Sequence, residues 1–191
     1  MNRAQIGILL GPKGRGSNMR AIAAACSDGR LHADVRVVIS PKSDTPGVDW
    51  ARSNGMNLDI VSPSDEPYGA NLLAALDGCD WICLAGYLRL LPGDVLNAFP
   101  LRILNIHPAL LPKFGGKGMY GMHVHEAVIA AGESESGCTV HYVTEHYDEG
   151  EIILQKRYAL HPGETPESLA AAVLKLEHEA YVEALQKVIA G

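Results

Sequence analysis

"QIGILLGPKGRGSNMRAIAAACSDGRLHADVRVVIS", residues 5–40, carries three element signals in succession. QIGILL (5–10) is a short apolar run of strand length, and VRVVIS (35–40) is another, rich in β-branched residues. Between them NMRAIAAACSDG (18–29) keeps a helical pattern and closes on a glycine, the usual stop for a helix. A strand, a helix and a strand in close sequence form the unit that builds a parallel sheet.

The same alternation continues outward. LDIV (58–61), WICLAG (81–86), RILNI (102–106), TVHYV (139–143) and IILQKRY (152–158) read as five further strands, and segments such as GVDWARSNG (47–55) as helices between the early ones. The pattern predicts an α/β fold: a Rossmann-like, mostly parallel seven-stranded sheet with helices on both faces. The last two strands lie so close together that they suggest an antiparallel edge. From Thr165 the chain reads as one long amphipathic helix, with Thr165 as N-cap and Pro166 at its first position; Ser168 stands where a full capping box would hold Glu or Gln.

The 191 residues suffice for one apolar core, and no repeat or linker divides them, so a single domain over 1–191 is expected. A formal net charge of −6 argues against a nucleic-acid partner, though a local anion site remains compatible with it. The N-terminus lacks the pattern of a signal peptide and no run reaches membrane-spanning length, so no membrane partner and a cytoplasmic location are expected. Cys26, Cys79, Cys83 and Cys138 are scattered without a C-x-x-C pair, which predicts reduced thiols rather than a zinc site. Oligomeric state has no sequence signal.

Open parallel sheets bind ligands beyond the carboxyl ends of their strands, and four unusual segments follow strands here. After the first, the turn into a helix would expose the backbone N–H groups of Gly16, Ser17 and Asn18, with Lys13 and Arg15 nearby, as a phosphate cradle. The same residues also suit a flexible turn with an ordinary cap. Neither the Walker pattern nor G-x-G-x-x-G is satisfied, which speaks against NAD. GYLRLLP follows the fourth strand. In "NIHP" Asn105 and His107 lie two apart, so both point to one side of the fifth strand, where amide and imidazole could donate to one developing oxyanion. A core histidine with satisfied hydrogen bonds is the plainer alternative. Asp148, in "EHYDEG" after the sixth strand, is the candidate carboxylate that would raise the imidazole's pKa. His123 and His125 form an H-x-H pair without a convincing third ligand, so no metal is assigned, and His141 reads as structural.

Together "GRGSNM", "LAGYLRLL", "LNIHPALLPKFGG", "SGCTVHYVTEHYDEGEIILQ" and "LEHEAY" resemble, in order and approximate spacing, the phosphoribosylglycinamide formyltransferase family of formyltetrahydrofolate-dependent enzymes. The resemblance covers nearly the whole chain. It implies 10-formyltetrahydrofolate as the donor, glycinamide ribonucleotide as the acceptor, and neither metal nor NAD. It further implies that Asn105, His107 and Asp148 are catalytic, and that Gly16, Ser17 and Asn18 hold the acceptor's phosphate. Leu174, Lys175, Leu176 and Glu177 would lie against the acceptor, with Glu177 on its ribose hydroxyls. Leu88, Arg89, Leu90 and Leu91, with Thr144, Glu145, His146, Tyr147, Asp148 and Asn105, would enclose the folate.

Overall fold

A computed structural model describes residues 2–190; Met1 and Gly191, the ends of the expected domain, lie outside the described residues. β1 (Ala4–Leu10), β2 (Ala33–Ser40), β3 (Leu58–Ile60), β4 (Trp81–Ala85), β5 (Ile103–His107), β6 (Glu135–Tyr142) and β7 (Ile152–Ala159) form one sheet in the order β3-β2-β1-β4-β5-β6-β7. The pairs among β1 to β5 are parallel; β5–β6 and β6–β7 are antiparallel. β6 starts four residues before the apolar run TVHYV because Glu135 to Cys138 pair with Lys156 to Ala159, so ladder pairing outweighs the poor strand propensity of Ser136 and Gly137.

Helices cover both faces. On one, α1 (Ser17–Ser27), α2 (Pro46–Ser53), α5 (Met122–Ala130) and α6 (Pro166–Ala190) bury Ile6, Ile8 and Leu10 of β1, Cys83 and Ala85 of β4, and Leu104 and Ile106 of β5. On the other, α3 (Tyr68–Ala75) and α4 (Gly93–Ala98) cover Leu9, Ile82, Leu84 and Ile103. Alternation along each strand assigns these residues to opposite faces, as a strand's two-residue period requires. The cysteines are free thiols, three of them buried.

Between β1 and β4 the crossovers change face, which opens a crevice at the carboxyl edge. The loops leaving these strands abut closely: Gly11 N–H donates to the Ala85 carbonyl, and a Cβ on Gly11 would stand 1.7 Å from the Gly86 carbonyl oxygen. α6 starts with a complete reciprocal cap. Ser168 N–H donates to Thr165 Oγ1 at 3.2 Å and Thr165 N–H to Ser168 Oγ at 2.9 Å. Ser168 thus does the work expected of Glu or Gln, where the sequence pattern predicts only half a box.

One expectation about the sheet needs correction. β6 runs antiparallel to β5, and its last residue, Tyr142, pairs with Leu104 near the start of β5. The loop 143–151 therefore leaves at the opposite end from the other three segments and must double back along the sheet to bring Asp148 to His107.

Candidate active site

His107 ends β5 on the α3–α4 side of the sheet with its side chain 4% exposed. Its Nε2 lies 2.7 Å from the Phe114 carbonyl oxygen. A carbonyl can only accept, so Nε2 carries the proton and in the neutral ring Nδ1 carries the lone pair. Nδ1 faces Asp148 Oδ2 at 3.5 Å, too far for a hydrogen bond, which leaves this edge of the ring to a reacting group.

Burial pulls the His107 imidazole below its usual pKa, and the Asp148 carboxylate and Phe114 carbonyl oppose that pull without overcoming it. This corrects the expectation of a raised pKa: the carboxylate acts upward as anticipated, but the loss of hydration is larger. Asp148 responds differently. Burial pushes its pKa up, yet the adjoining His141 ring, the His107 charge and the Gly116 N–H together hold it below the usual carboxylate range.

Asp148 is fastened by a Gly116 N–H bond of 2.9 Å and adopts φ +57°, a left-handed conformation uncommon outside glycine, asparagine and aspartate. Gly115 permits the approach, since a Cβ there would meet Leu111 Cδ2 at 2.5 Å. A cleft of about 430 Å³ lined by Pro112, Gly116, Tyr147 and Asp148 opens beside the carboxylate.

Asn105 lies next to a residue read from sequence as structural. His141 faces Asn105 across the β5–β6 ladder, with its Nε2 at 3.2 Å from Asn105 Nδ2 and at 3.5 Å from Asp148 Oδ1. His141 Nδ1 donates to the Tyr142 carbonyl at 2.8 Å, so in the neutral ring Nε2 accepts from the Asn105 amide. That bond fixes the amide's orientation and leaves its second N–H for a ligand. The ladder register identifies His141; a lone imidazole inside TVHYV carries no such signal. The contributions of Phe114 and Gly116 come from their backbones and have no side-chain signature.

The first turn of α1 meets the C-terminal helix through Asn18 and Glu177. Gly16 stands at the N-terminus of α1 with φ +70°, and the loop before it is packed so tightly that Gly47 N–H reaches the Gly14 carbonyl at 2.6 Å. Asn18 Nδ2 donates to Glu177 Oε2 at 2.8 Å, while Asn18 Oδ1 is buried without a partner. Burial raises the Glu177 pKa against the opposing effects of Asn18 and Arg15. Tyr181, one helical turn beyond Glu177 and fully buried, sends its hydroxyl to the Leu84 and Leu104 carbonyls, which fixes α6 to β4 and β5. Along that helix Leu174 is half-buried, Leu176 packs on the core and Lys175 is exposed, so of the four residues expected against the acceptor Glu177 is the one whose side chain hydrogen-bonds α1, through Asn18.

In the β4–α4 loop Leu88 and Leu90 are 43% and 44% exposed, an unusual outlay of large apolar side chains, with exposed Arg89 between them and Leu91 buried beneath. Thr144 organises the facing turn through its hydroxyl and His146; Glu145 and His146 are exposed and Tyr147 is half-buried. His123 lies against the exposed Tyr120 ring, and His125 is buried with Nδ1 unpartnered. Among the described residues, no group of three or more His, Cys, Asp or Glu side chains is placed to hold a metal ion, and no helix is long and apolar enough to cross a membrane.

The chain matches the family model described as "Formyl transferase" over residues 8–185. A chloroplastic phosphoribosylglycinamide formyltransferase of Arabidopsis thaliana is 47% identical over 177 residues, covering 89% of this chain and 61% of the relative. The phosphoribosylglycinamide formyltransferase of Escherichia coli (strain K12) is 36% identical over 88% of this chain and 80% of its own length. The crystal structure of the protein of that name from Brucella melitensis superposes with a TM-score of 0.88 at 42% identity, covering 99% of this chain and 97% of that one. The chain spans about three fifths of the length of the plant relatives it matches. With nearly every element inside the matched span and the same fold in a solved relative, the chain belongs to the formyl transferase family.

Proposed function

We propose that the chain acts, over residues 1–191, as one formyltransferase domain that moves the formyl group of 10-formyltetrahydrofolate to the amine of 5-phosphoribosylglycinamide, in the synthesis of purine nucleotides. The expected location is the cytoplasm. One observation carries the reading: the N-terminus of α1 with the Asn18–Glu177 pair follows β1, while Asn105 and His107 lie on β5, one strand beyond β4 in the same sheet, with Asp148 brought against His107 by the loop after β6. The relatives' names point to the same formyl transfer and the same acceptor.

In this reading the phosphate sits on the N-H groups of Gly16 to Asn18, and Glu177 accepts from the ribose hydroxyls. The exposed Leu88 and Leu90 and the turn Thr144–Asp148 supply the walls for the pterin. The amine attacks the formyl carbon to give a tetrahedral adduct. Asn105 donates its remaining N–H to the oxyanion. His107 begins neutral, because of its burial, and gains a proton at Nδ1 as the amine loses one; the imidazolium then stands between the Asp148 carboxylate and the Phe114 carbonyl. Asp148 also holds a water through which that proton passes from His107 to the folate nitrogen as the oxyanion collapses and the bond between the formyl carbon and that nitrogen breaks, which leaves the formylated amine and tetrahydrofolate. No covalent bond to the protein is required.

The test is incubation of the purified protein with 10-formyltetrahydrofolate, with and without the ribonucleotide, following tetrahydrofolate. Product only in the presence of the ribonucleotide is the expected result. Product without it would replace transfer by hydrolysis, and no product in either case would refute the enzymatic reading.

A further inference from the structure

We infer that Gln155, on the edge strand β7, is a positioning residue for the His107–Asp148 pair, acting through Thr139 and the backbone of residues 109–111. The inference rests on the reaction proposed above. Beyond His107 the chain leaves β5 through Pro108 and crosses the β6–β7 hairpin, where Ala109 is fully buried and Leu111 nearly so. Backbone polar groups buried there have lost water and need partners. Thr139, fully buried on β6, supplies them: its hydroxyl accepts from Leu111 N–H at 3.1 Å and donates to the Ala109 carbonyl at 2.6 Å.

Gln155 completes the set. Its amide nitrogen donates to the Leu111 carbonyl at 2.9 Å and to Thr139 Oγ1 at 3.0 Å. The hydroxyl's one proton and both its lone pairs are thereby used, as are both protons of the Gln155 amide. Leu111 is gripped at N–H and C=O by two different strands. Three residues later the Phe114 carbonyl holds His107 Nε2, and five residues later Gly116 N–H holds Asp148. Leu111 also limits Gly115 directly, since its Cδ2 occupies the space a Cβ would take. The backbone atoms that fix the histidine's tautomer and the carboxylate's position are therefore carried by a strap whose buried backbone at Ala109 and Leu111 is held by the Thr139 and Gln155 side chains, while its one other side-chain tie before Phe114 among the described residues, Lys113 to Glu133, is an exposed ion pair. A buried hydrogen-bond network with every member satisfied is rigid, and its members depend on one another.

Neither residue touches the α1–α6 region, so loss of the anchor should disturb the chemical step and spare the acceptor site. Gln155→Met keeps the side chain's length and removes both donors. The expected result is a fall in kcat of about tenfold, the scale set by sub-ångström misplacement of reacting groups. The KM for the ribonucleotide should stay within about twofold of the wild-type value, the pattern of an interaction felt in the transition state. In ¹⁵N spectra the His107 Nε2 resonance should move toward that of a ring nitrogen without an acceptor. Thr139→Val should act alike and Thr139→Ser, which keeps the hydroxyl, should restore both rate and resonance. Gln155→Met combined with Thr139→Val should be no slower than the worse single variant, since both break one network. An unchanged His107 resonance in Gln155→Met, or a Thr139→Ser variant as impaired as Thr139→Val, would overturn the inference. Should the wild type transfer no formyl group, the proposed function falls, while the His107 resonances of Gln155→Met still decide whether Gln155 positions the ring. If Thr139→Val does not fold, the half-buried Gln155 variant carries the test.

Discussion

Asp148→Asn isolates the charge of the carboxylate from its shape. Asparagine tolerates the left-handed backbone at this position and its Oδ1 can still accept from Gly116 N–H, so the loop should keep its path. What disappears is a negative charge 3.5 Å from His107 Nδ1. At an effective dielectric of about 20, unit charges at that separation attract by about 5 kcal/mol. The asparagine dipole and nearby water recover part of this. If about half is lost from the transition state, where His107 has become an imidazolium, the rate falls by about a hundredfold. Turnover measured with both substrates saturating should show that fall, while calorimetric titration with the ribonucleotide shows acceptor binding largely retained. An NMR titration of the His107 ring should place its pKa below the already lowered wild-type value, because the main upward influence has gone. A variant within about threefold of wild-type turnover, or a His107 pKa unchanged or higher, would refute electrostatic support by Asp148 and leave it only the holding of water.

Asn18→Asp should weaken the ribonucleotide far more than the folate, because it sets a second carboxylate against Glu177 and against the incoming phosphate; equal losses for both ligands in calorimetry would point to misfolding instead. His107, His125 and His178 all have pKa values lowered chiefly by burial, so the stability they contribute is complete above the unfolded value near 6.5 and is lost as the pH falls toward their folded values. Urea unfolding at pH 7.5 and 5.5 should show a drop that is smaller in His107→Gln. Ser168→Ala removes one half of the reciprocal cap of α6, the bond from Thr165 N–H, and keeps the other, so it should cost about 0.5–1 kcal/mol in the same assay, with no change in turnover.

The strands and the long last helix were legible because burial on both faces writes continuous apolar runs, as in QIGILL and VRVVIS, and because Pro166 and Thr165 are direct start signals. Asn105 and His107 could be paired by the two-residue period alone, without knowledge of their neighbours. The direction of β6 was not legible: a short apolar run looks the same in either orientation, and only the ladder decides that Tyr142 meets Leu104. His141 was lost with it, since its place opposite Asn105 depends on that register. The lowered pKa of His107 escaped for a different reason. A charged neighbour can be guessed from sequence, but the depth of burial that outweighs it belongs to the assembled loop 108–116.

The left-handed backbone at Asp148 sets two independent filters on what that position can hold. Conformation admits glycine, asparagine and aspartate readily and resists β-branched side chains; the proposed chemistry admits only a residue that is an anion at neutral pH. Aspartate is the single overlap, since glutamate satisfies the charge but neither the backbone preference nor the reach to Gly116. A saturation library at this codon should therefore divide in two. Selection for soluble protein would enrich a small group of residues, selection for growth without supplied purines would keep one of them, and the gap between the two sets would measure how far function narrows what folding permits.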